Sequence, residues 1–336
     1  MIIPFFIPHS GCPHQCVFCN QKNITGQTSP VDRSEIPLKI SEYVKSNAKQ
    51  DPVQVAFYGG SFTALPWARQ KPYLEAVRPF ILSGQIENIR ISTRPDCIEN
   101  DNLALLKAYH VNTVELGAQS MDDTVLSLSS RGHTSSDTQH GVQLLKARGF
   151  LVGLQLMPGL PGDRPDLFMD TVEKVIDLQP DFVRIYPALV IKNTPLEHLY
   201  QSRQYLPLTL DSAIALCRKA LLRFEQAQID VIRVGLQPTE ELNRPGTVLA
   251  GPFHPAFRQL VESSILLDKM RSLLLDSKPG SGTVVFQVNP KDLSAAIGQR
   301  RSNIVHLKQE FGLNDILIKE GNNILRRGKP TLLSVF

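Results

Sequence analysis

With 336 residues and an ordinary 42 % of hydrophobic side chains, the chain can bury a full core, and its length suggests one large domain plus a small one. No apolar run approaches the roughly 18 residues of a membrane span, and the start lacks the charged segment and small-residue cleavage site of a signal peptide, so the expectation is a cytoplasmic protein with no membrane partner. The net charge of +4 is small, yet nine Lys and Arg against four acids fall from Lys278 onward, so the tail carries the excess. That distribution points to a polyanion as partner, with a solvated charged face as the alternative.

In chain order, short β-rich runs at 2–7, 53–58, 89–93, 113–116, 151–157, 182–186 and 231–234 alternate with helical patterns at 34–46, 102–109, 138–148, 167–178 and 210–226. This alternation predicts βα units around a parallel sheet, and six or seven units fit a partial (β/α)6-type TIM barrel better than a closed eightfold one. In such barrels the active site collects in loops after the strand C-termini. The distinctive residues sit there. Gly11 to Asn20 follows the first strand, Gly59-Gly60-Ser61-Phe62 the second, Ser92-Thr93-Arg94-Pro95-Asp96 ends the third, Glu115 through Ser120 the fourth, and Pro158 through Asp163 the fifth.

The first of these loops sets the chemistry. Cys12, Cys16 and Cys19 stand in a Cys-x3-Cys-x2-Cys spacing with Phe18 before the last thiol. A structural zinc site or an ordinary cubane wants four protein ligands, and zinc held with His9 or His14 as the fourth is the competing reading. Three thiolates leave one iron of a 4Fe-4S cluster open, which suits chelation by the amino and carboxylate groups of S-adenosylmethionine. The spacing resembles the signature of radical S-adenosylmethionine (radical SAM) enzymes. In that setting Gly59 and Gly60 allow close backbone approach to the cofactor's amino group, with Ser61 assisting. Ser92 would bond the ribose and Arg94, through its guanidinium fork, the carboxylate; an ion pair with Asp96 is the competing role for Arg94. Gln119 suits ribose or substrate, or caps the following helix, while Gly153 and Pro158 shape a floor for adenine. Arg131 and His133, in a loop between helices, are candidates for a direct catalytic role, with His133 as proton donor or acceptor.

Residues 1 to about 275 resemble the radical SAM core of the Elongator catalytic subunit and its shorter bacterial relatives. The resemblance runs through the cysteine motif, Tyr58-Gly59-Gly60-Ser61-Phe62, Ser92 to Asp96, Glu115-Leu116-Gly117-x-Gln119-Ser120, Arg131-Gly132-His133-Thr134, Met157 to Asp163 and Arg184-Ile185-Tyr186-Pro187. It implies a 4Fe-4S cluster, S-adenosylmethionine cleaved to a 5'-deoxyadenosyl radical, an electron donor such as flavodoxin or ferredoxin, and RNA as partner, through modification of a tRNA base such as wobble uridine. A small metabolite or tetrapyrrole stays open as substrate, by resemblance to oxygen-independent coproporphyrinogen oxidases. An RNA-binding protein with a structural metal site and no catalysis stays open too.

Residues 1–245 are thus expected to form the core and 246–277 a helical extension packed on it, with 278–282 as linker. Residues 278–336 resemble a small α+β KH RNA-binding domain: a strand, a helix, the junction Gly298 to Arg301, a second helix and a strand. A KH domain clamps phosphates with a Gly-x-x-Gly turn. Here Arg301 stands in place of the second glycine beside Arg300, so RNA contact is expected from Gly298, Arg300 and Arg301 with side-chain cations replacing part of the clamp.

Overall fold

The computed structural model describes residues 1–27, 29–47 and 51–335 and divides into two compact units, Met1–Leu210 with Arg223–Phe253, and Asp211–Leu222 with His254–Phe336. The larger unit is built on parallel strands β1 (Ile2–Phe6), β2 (Gln54–Tyr58), β3 (Asn88–Thr93), β4 (Val111–Gln119), β5 (Leu151–Leu156) and β6 (Phe182–Ile185), then, past the two-residue β7 (Val190–Ile191), β8 (Asp230–Val234). Their order is β1-β2-β3-β4-β5-β6-β8, seven strands curled into a half-barrel with β1 and β8 at its unpaired edges. Parallel neighbours need long crossovers. Helices supply them, among them Glu35–Ser46, Asn100–Ala108, Ser135–Ala147 and Pro165–Asp177. Trp67–Leu82 also fills a crossover; its internal Pro72 and Pro79 hide it from a periodicity reading.

A two-residue alternation along β1 to β6 decides where the site lies. Ile3, Phe5, Val55, Phe57, Ile89, Ile91, Val114, Leu116, Val152, Leu154, Val183 and Ile185 are buried at 1 % exposure or less. Their neighbours on the opposite face include Arg90, Ser92, Glu115, Gln155 and Arg184, which are polar. Parallel sheets usually bury apolar side chains on both faces. A polar inner face inside a half-barrel therefore marks a cavity rather than a core.

In the smaller unit, β10 (Thr283–Val288) pairs in parallel with β11 (Asp315–Glu320) and antiparallel with β12 (Thr331–Val335); a short β9 (Val248–Ala250) pairs with β7 in the larger unit. Helices Leu293–Ile297 and Ser302–Phe311 connect β10 to β11. The expected boundary at residue 278 is corrected here. Helix Phe257–Ser277 places Leu266, Met270 and Leu274 in one buried cluster with Val284, Phe286, Ala296 and Leu307 of the small unit. Asn303 fastens it further, its Nδ2 donating to the Ser263 carbonyl at 3.0 Å and the Ala295 carbonyl at 3.1 Å. Residues 278–282 are accordingly a turn inside this unit, where Lys278 ends the helix at φ 46°. Among the described residues no helix is long and apolar enough to cross a membrane.

Candidate active site

The cysteine loop leaves β1 and is stitched to the loop after β2. The amides of Ile7 and His9 donate to the Tyr58 and Gly59 carbonyls at 2.8 and 2.9 Å, and Ser61 N donates to Ser10 O at 2.9 Å. Two glycines make that contact possible. A β-carbon on Gly60 would stand 2.4 Å from Ser10 O and 2.6 Å from Ile7 O, and one on Gly11 would stand 2.2 Å from Ser61 O. The Gly-Gly pair thus serves first to press two loops together; Gly59, at φ 87°, also needs its left-handed backbone.

Cys12, Cys16, Cys19 and Phe18 all line a cavity of about 710 Å³ within the larger unit, inside the size range of small-ligand sites. Burial pushes the Cys19 thiol up to about 12, with the neighbouring Cys16 adding to the shift. A thiol in that setting becomes a thiolate when a metal binds it. Among the described residues no three His, Cys, Asp or Glu side chains gather around one point tightly enough for a single ion. Both His9 and His14 line the same cavity, and the Nε2 of His9 is taken, accepting from Gln21 N at 3.1 Å.

Of the other expected residues, Gly59, Gly60, Ser92, Arg94, Gln119 and Arg131 reach the cavity, and Ser61, His133 and Pro158 do not. Ser61 is fully buried; its Oγ bonds Thr93 Oγ1 at 2.9 Å and accepts from Arg94 N at 3.3 Å, so it ties the β2 and β3 loops together. Pro158 is buried and uses its carbonyl to accept from Ala188 N at 2.9 Å. The adenine floor expected at Gly153 is likewise filled, since the Phe182 ring lies 2.2 Å from where a β-carbon would be. Arg94 is corrected as well. Its fork grips Asp96 through Nε at 2.9 Å and Nη2 at 3.0 Å, and Nη2 also donates to the Arg131 carbonyl, so the ion-pair alternative is the one realised.

Arg131 lies closest to the thiols, with Nη1 donating to Cys16 Sγ at 3.1 Å and Nη2 to the Gly117 carbonyl at 2.5 Å. His133 faces away from the cavity. Its Nε2 donates to the Ala118 carbonyl at 3.2 Å, and burial, then the charges of Arg131 and Arg94, push its pKa down to about 3. Buried and bonded to the Ala118 carbonyl, the ring holds its loop in place. An unfolded His titrates near 6.5. The stabilisation from burying it neutral is therefore complete above that pH and is lost as pH falls toward 3. The stability advantage of wild type over His133→Gln should shrink between pH 7 and pH 4 in denaturant titrations, and a pH-independent gap would contradict this assignment.

The largest group missed by sequence reading is the floor of the cavity. Glu115 on β4 accepts from Tyr58 Oη at 2.9 Å and from Arg184 Nε at 2.6 Å, while Arg90 Nε stands 3.2 Å away as an ion pair out of hydrogen-bond alignment. Arg184 Nη1 reaches Tyr186 Oη at 3.3 Å, and Gln155 Nε2 donates to Gln119 Oε1 at 3.2 Å. Burial, with the Glu115 charge second, raises the Tyr58 phenol above its ordinary range, so it stays a donor. These residues come from β2, β3, β4, β5 and β6. The alternation of Arg90, Ser92, Glu115 and Gln155 with buried aliphatics was the available signal.

The sequence matches the Radical SAM superfamily over residues 6–175 and the Radical_SAM C-terminal domain over residues 180–266. The chain belongs to the radical SAM superfamily. The radical SAM core is 27 % identical over 245 residues to a tRNA uridine(34) acetyltransferase of Methanocaldococcus infernus, a match covering 60 % of this chain and 46 % of that protein. It is 30 % identical over 189 residues to Elongator complex protein 3 of Mus musculus, covering 50 % of this chain and 34 % of that one. The chain spans about half or less of the length of these curated relatives. In fold, the radical SAM chain is similar to an archaeal Methanocaldococcus infernus Elp3 lacking its N-terminus, with a TM-score of 0.59 and 22 % identity over 82 % of this chain and 63 % of the other. The protein is thus a radical SAM enzyme with a 4Fe-4S cluster and S-adenosylmethionine as its cofactors. The three thiols that line one cavity, beside glycine backbone and polar side chains, fit that pair. When bound, the two supply one-electron reductive cleavage of S-adenosylmethionine to a 5'-deoxyadenosyl radical.

Proposed function

We propose that this radical SAM enzyme modifies RNA, and specifically a base of tRNA, with wobble uridine the first candidate. The observation that carries this reading is that relatives sharing its core are named as tRNA uridine(34) acetyltransferases. In the proposal Cys12, Cys16 and Cys19 hold the cluster, and Arg131 orients Cys16 and steadies its thiolate charge through the 3.1 Å contact. Gly59, Gly60, Ser92 and Gln119 seat S-adenosylmethionine in the cavity, with Phe18 bracing the cysteine loop among buried apolar side chains. A flavodoxin- or ferredoxin-type protein delivers the electron. Comparing nucleoside mass profiles of cellular tRNA with and without this gene tests the reading: a missing modified uridine supports it, and identical profiles sink it.

The small unit supports an RNA substrate in its own way. Gly298 is buried, and a β-carbon there would lie 2.5 Å from Ser302 Oγ, so this glycine lets two helices meet closely. Arg300 and Arg301 are both exposed and both left-handed, at φ 51° and 62°. Arg301 thereby keeps the backbone conformation a glycine would take, at a cost of about 1 kcal/mol, while adding a cation. In the proposed KH-like role the pair contacts single-stranded phosphates. An Arg300→Ala/Arg301→Ala variant should bind tRNA roughly tenfold more weakly and lower the salt slope by about one to two, measured by filter binding over a salt series. Unchanged affinity and slope would remove the small unit from RNA recognition.

A further inference from the structure

The cationic side chains around the cavity are unevenly neutralised. Four arginines line it, Arg94, Arg131, Arg184 and Arg233, against a single acid, Glu115. Three have an anionic or potentially anionic partner: Arg94 the carboxylate of Asp96, Arg184 that of Glu115, and Arg131 the sulfur of Cys16. Arg233 has none among the described residues. Its one hydrogen-bond partner is the neutral amide oxygen of Gln237. Register makes this unusual, because β6 and β8 pair Arg184 directly with Arg233, and β5 and β6 pair Gln155 with Arg184. Gln155, Arg184 and Arg233 thus form one polar row across the inner face, ending at the unpaired edge strand β8. Like charges on neighbouring strands repel, and Glu115 offsets the Arg184 member of this pair while Arg233 has no carboxylate against it among the described residues.

We infer that Arg233, with Gln237 beside it, is the anchor for an anionic oxygen group of the substrate, a phosphodiester of the RNA strand next to the base that enters the cavity. This rests on the RNA reading above. The chemistry suits the task. A guanidinium presents a planar set of donors to two phosphate oxygens, and the Gln237 amide adds a donor once it turns its nitrogen inward. The cavity wall opposite the edge is formed by Ile2, Pro4 and Phe6 of β1, the other unpaired strand, so a base can lie between an apolar side and a charged one. Arg233 is a substrate-positioning residue in this assignment.

The test is tRNA binding by the anaerobically reconstituted holoenzyme over a salt series, for wild type, Arg233→Gln and Arg233→Lys, with thermal midpoints confirming folding. The inference expects Arg233→Gln to weaken binding about tenfold and to lower the logarithmic salt slope by about one, and Arg233→Lys to restore the slope while recovering only part of the affinity. If wild type shows a salt-dependent affinity and Arg233→Gln matches it in both affinity and slope, the anchor is wrong and the RNA reading stands. If wild type itself shows no salt-dependent tRNA affinity, the RNA reading fails and takes the anchor with it.

Discussion

Replacing Cys16 by Ala should abolish the cluster and, with it, reductive cleavage of S-adenosylmethionine. Cys16 is the most buried of the three thiols and the one held by Arg131 at 3.1 Å, in a loop locked by the amide of Val17 donating to Ser129 O at 3.1 Å and that of Leu196 donating to Val17 O at 2.8 Å. A cubane left with two thiolates has lost one of its three cysteine bonds, and the Nε2 of the neighbouring His9 is engaged with Gln21. Loss of a supporting partner alone typically costs about 10- to 100-fold, so losing a ligand should exceed about 100-fold. Anaerobic reconstitution, iron and sulfide counts and chromatographic detection of 5'-deoxyadenosine measure it. The fold itself should survive, because Ala fits a small buried thiol's site at a cost of about 1 kcal/mol. Cys217→Ala is the control: that thiol is fully buried in helix Leu210–Gln226, and its loss should leave iron content unchanged. Should Cys16→Ala retain iron and still produce 5'-deoxyadenosine, the assignment of the cluster to this loop fails.

The second large effect is expected at Glu115. Its carboxylate is the one acid on the cavity floor and balances Arg184 at 2.6 Å and Arg90 at 3.2 Å, all three groups at 13 % side-chain exposure or less. Glu115→Gln preserves shape and removes charge, leaving two buried guanidinium groups without a counter-ion. Breaking a buried ion pair in this way costs about 3–5 kcal/mol. The same substitution turns the acceptor for Tyr58 into an amide that offers only one oxygen. Equilibrium unfolding in urea should show the midpoint falling with little change in slope. Combining Glu115→Gln with Arg184→Met should recover part of the loss, because the second change removes one stranded charge. A single-variant loss under about 1 kcal/mol would mean that water or another group already balances the arginines, and Glu115 would not be the counter-ion of the floor.

The residues whose roles were misread in sequence share a cause. Arg94 and Ser61 carry the right chemistry for cofactor contact, yet each meets a nearer partner first: Asp96 two residues on, and Thr93 across the next strand. His133 sits in a loop, where functional residues concentrate, but its loop turns the ring toward the Ala118 carbonyl rather than the cavity. Side-chain direction out of a loop depends on left-handed positions such as Ser130 at φ 52° and Gly132 at φ 70°, which composition does not reveal. The helix Phe257–Ser277 was legible as a helix but not as part of the small unit, because its apolar stripe says only that something covers it.

What the amino-acid order determined alone was local: the succession of parallel strands, the loops at their ends and the three-thiol spacing, each written within a few neighbouring residues. Only the tertiary structure decided which polar groups meet. Tyr58 and Arg184 are 126 residues apart and Glu115 and Arg184 are 69, yet they form one network on the inner face of the half-barrel. The reason is the curl of the sheet. Strand periodicity tells that alternate residues share a face, while the order and register of strands fix which faces come together and whether the space they enclose is filled by side chains or left for a ligand.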